Sequence, residues 1–276
     1  MTEQSMADAA AASAPLIPEQ RRESIVRHLQ RERVLSFRQL TELLGVSHMT
    51  VRRDVAALEE QGRVAATPGG AKLAPRLLAE PSRAEKQDAD LAEKDAIARA
   101  AAALVRDAMT IYLDAGTTMQ AMRPYLQGVS DLTVVTNDLA TVQAFLDHPS
   151  VDLISIGGRV ERSNLSTMGR LARLALAELS IDVAFISSSS WDLQHGITTP
   201  VEAKVEAKRA AIEVAETAVL AADSSKYGRF GKYRALRLDE IDVVISDAGL
   251  PPEAAADLRA AGVDLRIAGE PAADAA

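Results

Sequence analysis

Two short stretches hold residue types suited to binding phosphate and base edges. In Ser47-His48-Met49-Thr50-Val51-Arg52-Arg53, hydroxyls, an imidazole and two guanidiniums stand close together. Arginine pairs bidentately with guanine or with phosphate oxygens, and hydroxyls and backbone amides at a helix start hold phosphate. In Asp114-Ala115-Gly116-Thr117-Thr118, glycine lets a ligand approach the backbone, while amides and threonine hydroxyls hold an anion. Each stretch also has a plainer reading. Helix pairs with surface arginines are common packing units, and any strand-to-helix turn uses glycine and threonine for a tight bend and a cap.

The elements that must position the first stretch are short. Residues 19–30 place Ile25, Val26 and Leu29 at helical spacing, with Arg21, Arg22 and Arg27 on the other faces. Ser36 and Gln39 form a capping box that opens a second helix burying Phe37, Leu40 and Leu43 or Leu44, and Gly45 ends it. Ser47 caps a third helix, to about Leu58, in which Val51, Val55 and Leu58 recur at i, i+4 and i+7. That seam pins the helix and leaves His48, Met49, Thr50, Arg52 and Arg53 on its other faces. Helix, glycine turn and helix make a helix-turn-helix, whose last helix enters the major groove of DNA. After Gly62, RVAATPGGAKL predicts a hairpin turning at Pro68, Gly69 and Gly70, a wing from which Lys72 can touch the duplex backbone. Asp54 would repel phosphate, so it is expected to hold Arg52, Arg53 or a neighbouring helix.

The second stretch belongs to a different architecture. From Leu91 an alanine-rich helix near 94–105 is followed by apolar strands at 110–113, 132–136, 153–156, 183–186, 218–221, 243–246 and 264–267. Helical stretches separate most of them, which predicts a mainly parallel sheet covered on both faces. Such sheets bind ligands beyond the carboxyl ends of their strands. Asp114, Gly116, Thr117 and Thr118 end one strand, and Thr136 with Asn137, Gly157 with Gly158, and Asp223-Ser224-Ser225-Lys226 end others, so they converge on one rim. Lys226 as an ordinary solvated lysine is the alternative. Between the two parts, residues 75–90 have prolines, many charges and no apolar period, and read as a hinge or linker.

Composition agrees with two soluble units. The chain has 276 residues, 47% hydrophobic and 25% charged, ample for a core in each. The net charge of −8 hides an asymmetry: residues 19–76 carry +4 and the remainder −12. A basic module on an acidic body takes phosphates at one end only. There is no cysteine, and His28, His48, His148 and His195 are scattered, so neither disulfides nor a metal site is expected, and no cofactor. No apolar run approaches a membrane span, and residues 1–17 make a poor secretory signal, so a cytoplasmic location without membrane contact is expected. The boundaries are a disordered tail at 1–17, a DNA-binding domain at 18–74, a linker at 75–90, an α/β domain at 91–269 and a disordered tail at 270–276.

The residues also resemble a known family. V-S-x-x-T-V-R-R-D-V at 46–55, L-x-x-x-G at 58–62 and G-G-A at 69–71 resemble the DeoR family of bacterial transcription regulators. So do D-A-G-T-T, T-N, the G-G before Arg159, N-x-x-x-x-G from Asn164 to Gly169, H-G-I-T-T-P and A-D-S-S-K. The resemblance covers residues 19–267. It implies an α/β protein: a small N-terminal winged helix-turn-helix followed by a larger α/β sensor domain with a mainly parallel sheet, similar to sugar-phosphate isomerases. Ser47, Thr50, Arg52 and Arg53 then fall where the family faces DNA, and His48 and Met49 where its members vary. The implied effector is a phosphorylated sugar or a related metabolite, held among the rim residues with Arg159, Asn164 and Gly169. Two places depart from the pattern. Ala66, Thr67 and Pro68 replace the usual Arg-x-His of the wing, and Ser187 to Ser190 with Trp191 replace a glycine-containing loop. Ser188 and its neighbours bring hydroxyls to the pocket, and Trp191, the single tryptophan, stacks on a sugar, plugs the core or meets a subunit. His195 is expected in a turn or pocket wall.

Three functions are consistent with these features. The first is a repressor of a carbohydrate operon, released from operator DNA by its effector, with an activator of the same architecture as a variant. The second is a catalytic sugar-phosphate isomerase fused to a DNA-binding module. It needs a positioned carboxylate, and the 187–192 loop offers only Asp192. The third, an architectural DNA binder, leaves the rim unexplained. A homodimer or homotetramer is expected, because one recognition helix covers too little DNA.

Overall fold

The computed structural model describes residues 17–32, 34–61, 63–74 and 76–269. The expected tails lie outside the described residues apart from Ile17, as do Arg33, Gly62 and Pro75. The chain divides between residues 74 and 75 into two compact units.

The first unit contains α1 (Pro18–Glu32), β1 (Val34–Ser36), α2 (Phe37–Leu44), α3 (His48–Glu60), β2 (Val64–Thr67) and β3 (Gly70–Leu73). The helical spacing read from sequence becomes its core. Ile25, Val26 and Leu29 of α1 pack with Leu40, Val51, Val55 and Leu58, and with Leu35, Val64, Ala71 and Leu73 of the strands. The capping box at Ser36 and Gln39 is present, and Gly45 ends α2 in the left-handed region at φ 63°. Strand β1 is an addition to the sequence reading. It pairs antiparallel with β3, which pairs antiparallel with β2. Gly70 makes this possible: a Cβ there would lie 2.2 Å from the Leu35 carbonyl oxygen.

The second unit is a seven-stranded parallel sheet with helices on both faces. Its strands are β4 (Thr110–Leu113), β5 (Leu132–Thr136), β6 (Val151–Ser155), β9 (Ile181–Ile186), β12 (Ala215–Ala221), β14 (Val243–Ser246) and β15 (Asp264–Ile267). Their spatial order is β15-β14-β12-β9-β4-β5-β6. Strands buried on both faces read as continuous apolar runs, and alternate side chains feed opposite cores. In β9, Val183 and Phe185 join one core while Ile181, Ala184 and Ile186 join the other. The first core is covered by α5 (Leu91–Ala102), α6 (Thr117–Gln120) and α7 (Leu139–Phe145), the second by α8 (Arg170–Leu176), α9 (Ala203–Glu213) and α10 (Pro252–Ala260). Two small antiparallel sheets, β7 (Arg159–Glu161) with β8 (Ser166–Met168) and β10 (Ser190–Asp192) with β11 (Gly196–Thr199) and β13 (Tyr233–Leu236), were not expected from sequence.

The chain starts this sheet in the middle, runs outward through β5 and β6, then jumps to the other side of β4 to continue with β9. Adjacent strand ends therefore diverge between β4 and β9, where a crevice opens in folds of this class.

Residues 75–90, expected as a linker, are held against the larger unit from Leu77 onward. Leu77 is buried and its amide donates to the Phe230 carbonyl at 2.7 Å. Ser82 and Glu85 form a capping box for a short helix, α4 (Arg83–Gln87). The charges that gave the segment a solvated look have distant partners: Arg83 pairs with Asp138 at 2.9 Å and Glu80 with Lys204 at 2.6 Å.

Candidate functional sites

Helix α3 begins at Ser47, whose hydroxyl accepts from the Thr50 amide at 3.2 Å and lies 2.9 Å from the Thr50 hydroxyl. Both hydroxyls are thus engaged in capping. Val51, Val55 and Leu58 are buried, as their spacing predicts, and Ser47, His48, Met49, Arg52 and Arg53 are exposed. Phe37 sits beside this face. The Arg52 guanidinium lies over its ring, and the His48 ring meets it edge-on at 5.5 Å. Asp54 is buried and binds α1 rather than its own helix. Arg21 donates to it through Nε and, at 3.2 Å, through a second guanidinium nitrogen, and Arg22 lies at 3.6 Å. The acid therefore faces away from the exposed arginines. The wing is built as expected: β2 and β3 turn through Pro68 and Gly69, and Lys72 is exposed. The Gly69 carbonyl accepts from the Phe37 amide at 2.8 Å, tying the wing tip to the start of α2.

In the larger unit a pocket lies where β4 and β9 diverge. It is lined by Glu80, Asp114, Ala115, Asn137, Ser166, Ser187, Ser189, Thr199, Lys204 and Lys208. Its cavity is about 20 Å³, space for roughly one water molecule. Asp114 is buried at its floor. Its carboxylate accepts from the Ser187 amide at 3.0 Å, from the Ser187 hydroxyl at 2.8 Å and from the Lys208 ammonium. Lys208 also donates to the Ser187 carbonyl at 2.7 Å. The Tyr112 hydroxyl donates to Asn137 at 2.9 Å, and burial together with the Asp114 charge holds its pKa well above the usual tyrosine value. Asn137 in turn donates to the Thr167 carbonyl at 2.9 Å. Ser166 is buried, and its hydroxyl has no hydrogen-bond partner.

At the mouth, Glu80 lies between two ammoniums, 2.9 Å from Lys86 and 2.6 Å from Lys204. Burial opposes its ionisation, but the two cations prevail and bring its pKa down to about 2. Burial also lowers the pKa of Lys86, against the pull of Glu80. Beside Lys86 stands a second charged cluster. Asp223 pairs with Lys226 at 2.8 Å, and burial with the Lys226 charge brings the Lys94 pKa down to about 8. Burial and then Asp223 raise the pKa of Asp90 in the same cluster.

Of the rim residues expected from sequence, Asp114 and Asn137 line the pocket. Thr136 and Thr118 are buried, and the Thr136 hydroxyl donates to the Leu113 carbonyl at 2.7 Å. Gly116 donates its amide to Asp138 at 3.1 Å, so that amide is already occupied, and Thr117 opens the four-residue α6. Gly157 and Gly158 lead into β7, where a Cβ on Gly158 would press on the Met168 carbonyl at 2.9 Å. Arg159 is exposed on β7, Asn164 accepts from Lys86, and the Gly169 amide donates to Ala203 at 3.1 Å. Ser188 closes a local turn with Ser190 at 2.7 Å. Trp191 is fully buried in the core, edge-on to Tyr227 at 4.9 Å. His195 pairs with Asp192 at 2.8 Å and stacks on Phe230, a turn rather than a proton-transfer site. Sequence reasoning missed Glu80, Ser166, Lys204 and Lys208. Lys204 and Lys208 stand at i, i+4 on α9, a spacing that signals two ammoniums on one helix face.

A family described as the DeoR-like helix-turn-helix domain matches residues 21–76, and one described as the DeoR C terminal sensor domain matches residues 89–248. The chain belongs to the DeoR family of transcription regulators. Among its DeoR relatives is the Escherichia coli K12 "Uncharacterized HTH-type transcriptional regulator YgbI", 41% identical over 92% of this chain and 99% of that protein. The "Putative aga operon transcriptional repressor" of Escherichia coli O157:H7 is 32% identical over 91% of this chain and 94% of its own length. The "HTH-type transcriptional repressor GlcR" of Bacillus subtilis is 33% identical over 87% and 92%. In this DeoR chain the helix-turn-helix falls in the first matched domain, and the pocket at the sheet's switch point, apart from Glu80, falls in the second. No helix among the described residues is long and apolar enough to cross a membrane.

Proposed function

We propose that the chain is a cytoplasmic repressor of a carbohydrate operon, binding operator DNA through α3 and releasing it when a phosphorylated sugar occupies the switch-point pocket. The observation that carries this is the composition of that pocket. Ser166, Ser187, Ser189, Thr199 and Asn137 supply hydroxyl and amide groups suited to a polyol, and Lys204 with Lys86 supplies cations suited to a phosphate. On DNA, Arg52 and Arg53 read bases or phosphate, His48 and Met49 tune operator choice, Ser47 and Thr50 fix the helix start, and Lys72 meets the backbone. Relatives named as repressors of the aga operon and as GlcR support the sign of regulation. A homodimer or homotetramer presents two recognition helices to paired half-sites. A catalytic role fits poorly, because the Asp114 carboxylate is held by Lys208 and Ser187 and is not poised to take a proton.

The test is a gel shift on the chain's own upstream region, repeated with a panel of sugar phosphates, beside thermal shift with the same panel. Release by one phosphorylated sugar that also raises the melting temperature is the expected result. Binding to DNA that no member alters, with no thermal shift, would overturn the sensing half.

A further inference from the structure

The pocket at the switch point is too small for the ligand its walls suit. A cavity of about 20 Å³ takes a water molecule and not a sugar phosphate. What fills the mouth is a carboxylate of the chain itself. Glu80 accepts from Lys86 at 2.9 Å through Oε1 and from Lys204 at 2.6 Å through Oε2, as two oxygens of one phosphate group would accept from two lysines. Its side chain is only 11% exposed.

We infer that Glu80 is a built-in competitor, seated where the phosphate of a phosphate-monoester effector binds, and that the effector enters by displacing it. This rests on the sensing function proposed above. Three observations besides the ion pairs support it. The Ser166 hydroxyl lines the same pocket, is buried and lacks a hydrogen-bond partner, so the walls hold a polar group that the internal carboxylate leaves unsatisfied. The Lys86 ammonium also donates to Asn164, and Lys86 and Lys204 share the single Glu80 carboxylate, so the mouth holds more positive charge than that carboxylate neutralises. Glu80 further lies in the segment that follows residue 74, where the two units join in sequence. Two backbone points flank it, the Leu77 amide on the Phe230 carbonyl at 2.7 Å and the α4 capping box at Ser82. Movement of Glu80 therefore pulls on both hydrogen-bonded ends of this short segment, through which a filled pocket is connected along the chain to the DNA-binding unit.

A site occupied by an internal group most of the time binds its ligand more weakly by the fraction of time it is open. Removing the competing charge raises affinity by the same factor. The experiment is calorimetric titration of inorganic phosphate, glucose 6-phosphate and unphosphorylated glucose into the full chain and into Glu80→Gln. Expected is an affinity for the two phosphate-bearing probes at least roughly tenfold tighter in the variant, with no gain for glucose. A second measurement needs no variant: hydrogen exchange of the wild-type chain, in which the amides of Leu77, bonded to Phe230, and Ser82, bonded to Glu85, lose protection when a phosphate-bearing probe saturates it. Probes that bind both proteins equally, or that slow exchange at Leu77 and Ser82, overturn the displacement and leave the effector pocket standing. Failure of both proteins to bind any phosphate-bearing probe overturns the pocket itself, and the displacement with it.

Discussion

The guanidinium carbon of Arg52 lies 5.5 Å from the centroid of the Phe37 ring, so a residue of α2 sets the direction of an arginine on α3. Arg53 has no such support and is exposed. Arg52→Ala and Arg53→Ala are each expected to weaken operator binding by about 1–3 kcal/mol. Phe37→Leu removes the ring and keeps an apolar contact, and is expected to weaken binding by about 0.5–1 kcal/mol. Gel-shift affinities of the three variants, with melting temperatures as the control, check this. Unchanged affinity in both arginine variants would move base contact off α3.

Asp54 is expected to matter for folding before it matters for DNA. Removing a buried acid leaves Arg21 and Arg22 without their shared partner, and Asp54→Ala is expected to destabilise the first unit by on the order of 3 kcal/mol. Urea denaturation followed by circular dichroism measures the loss. A variant of wild-type stability would show that the carboxylate is replaceable by solvent.

Two adjacent glycines are expected to respond differently to alanine. Gly69→Ala meets open space at φ 83° and is expected to cost about 1–2 kcal/mol from the left-handed backbone alone. Gly70→Ala puts its Cβ into the Leu35 carbonyl and is expected to detach β1 from β3, costing about 1–3 kcal/mol and operator affinity as well. Amide exchange at Leu35, which pairs with Ala71 of β3, distinguishes the two, with fast exchange only in Gly70→Ala.

Glu80 supplies the pH dependence. Its folded pKa of about 2 lies below its ordinary value of 4.5, so its contribution is present above pH 4.5 and is lost as pH falls toward 2. By linkage that contribution is about 3 kcal/mol, an upper figure because the surrounding lysines relax. Melting temperature recorded from pH 6 down to the acid transition is expected to fall less steeply in Glu80→Gln than in the wild type. Parallel profiles would refute it.

Trp191 is expected to be a silent reporter. Its indole is buried in the core against Tyr227 and is not among the pocket-lining residues, so saturation with an effector should leave its emission maximum unmoved. Trp191→Phe should bind effector normally while losing about 2 kcal/mol of stability through the cavity it leaves. A large emission shift on binding would place the ring at the ligand.

What could be read from sequence was periodic. Val51, Val55 and Leu58 disclose a helix because a buried seam must repeat at the helical turn, and the strands disclose themselves because two-sided burial demands continuous apolar runs. Asp114 and Asn137 were legible as pocket residues because ligands meet such sheets beyond their strand ends. Strand β1 was not legible, since three residues become a strand only through pairing with β3, across Gly70. Glu80 was not legible either. It sits among prolines and charges that look solvated, and the Lys204 that buries it is 124 positions away in sequence.

The reversal of strand order between β4 and β9 has a consequence for how such a receptor matures. Asp114 ends the strand that starts the sheet, and Ser187, which donates to it, ends the strand laid down only after the chain has doubled back, 73 positions later. The pocket lining is therefore complete only once Lys208 has been made, well after the helix-turn-helix unit that ends at residue 74. A chain cut short between the two would carry the helix-turn-helix without the pocket, so the order of synthesis separates the DNA-binding unit from the site proposed to govern it.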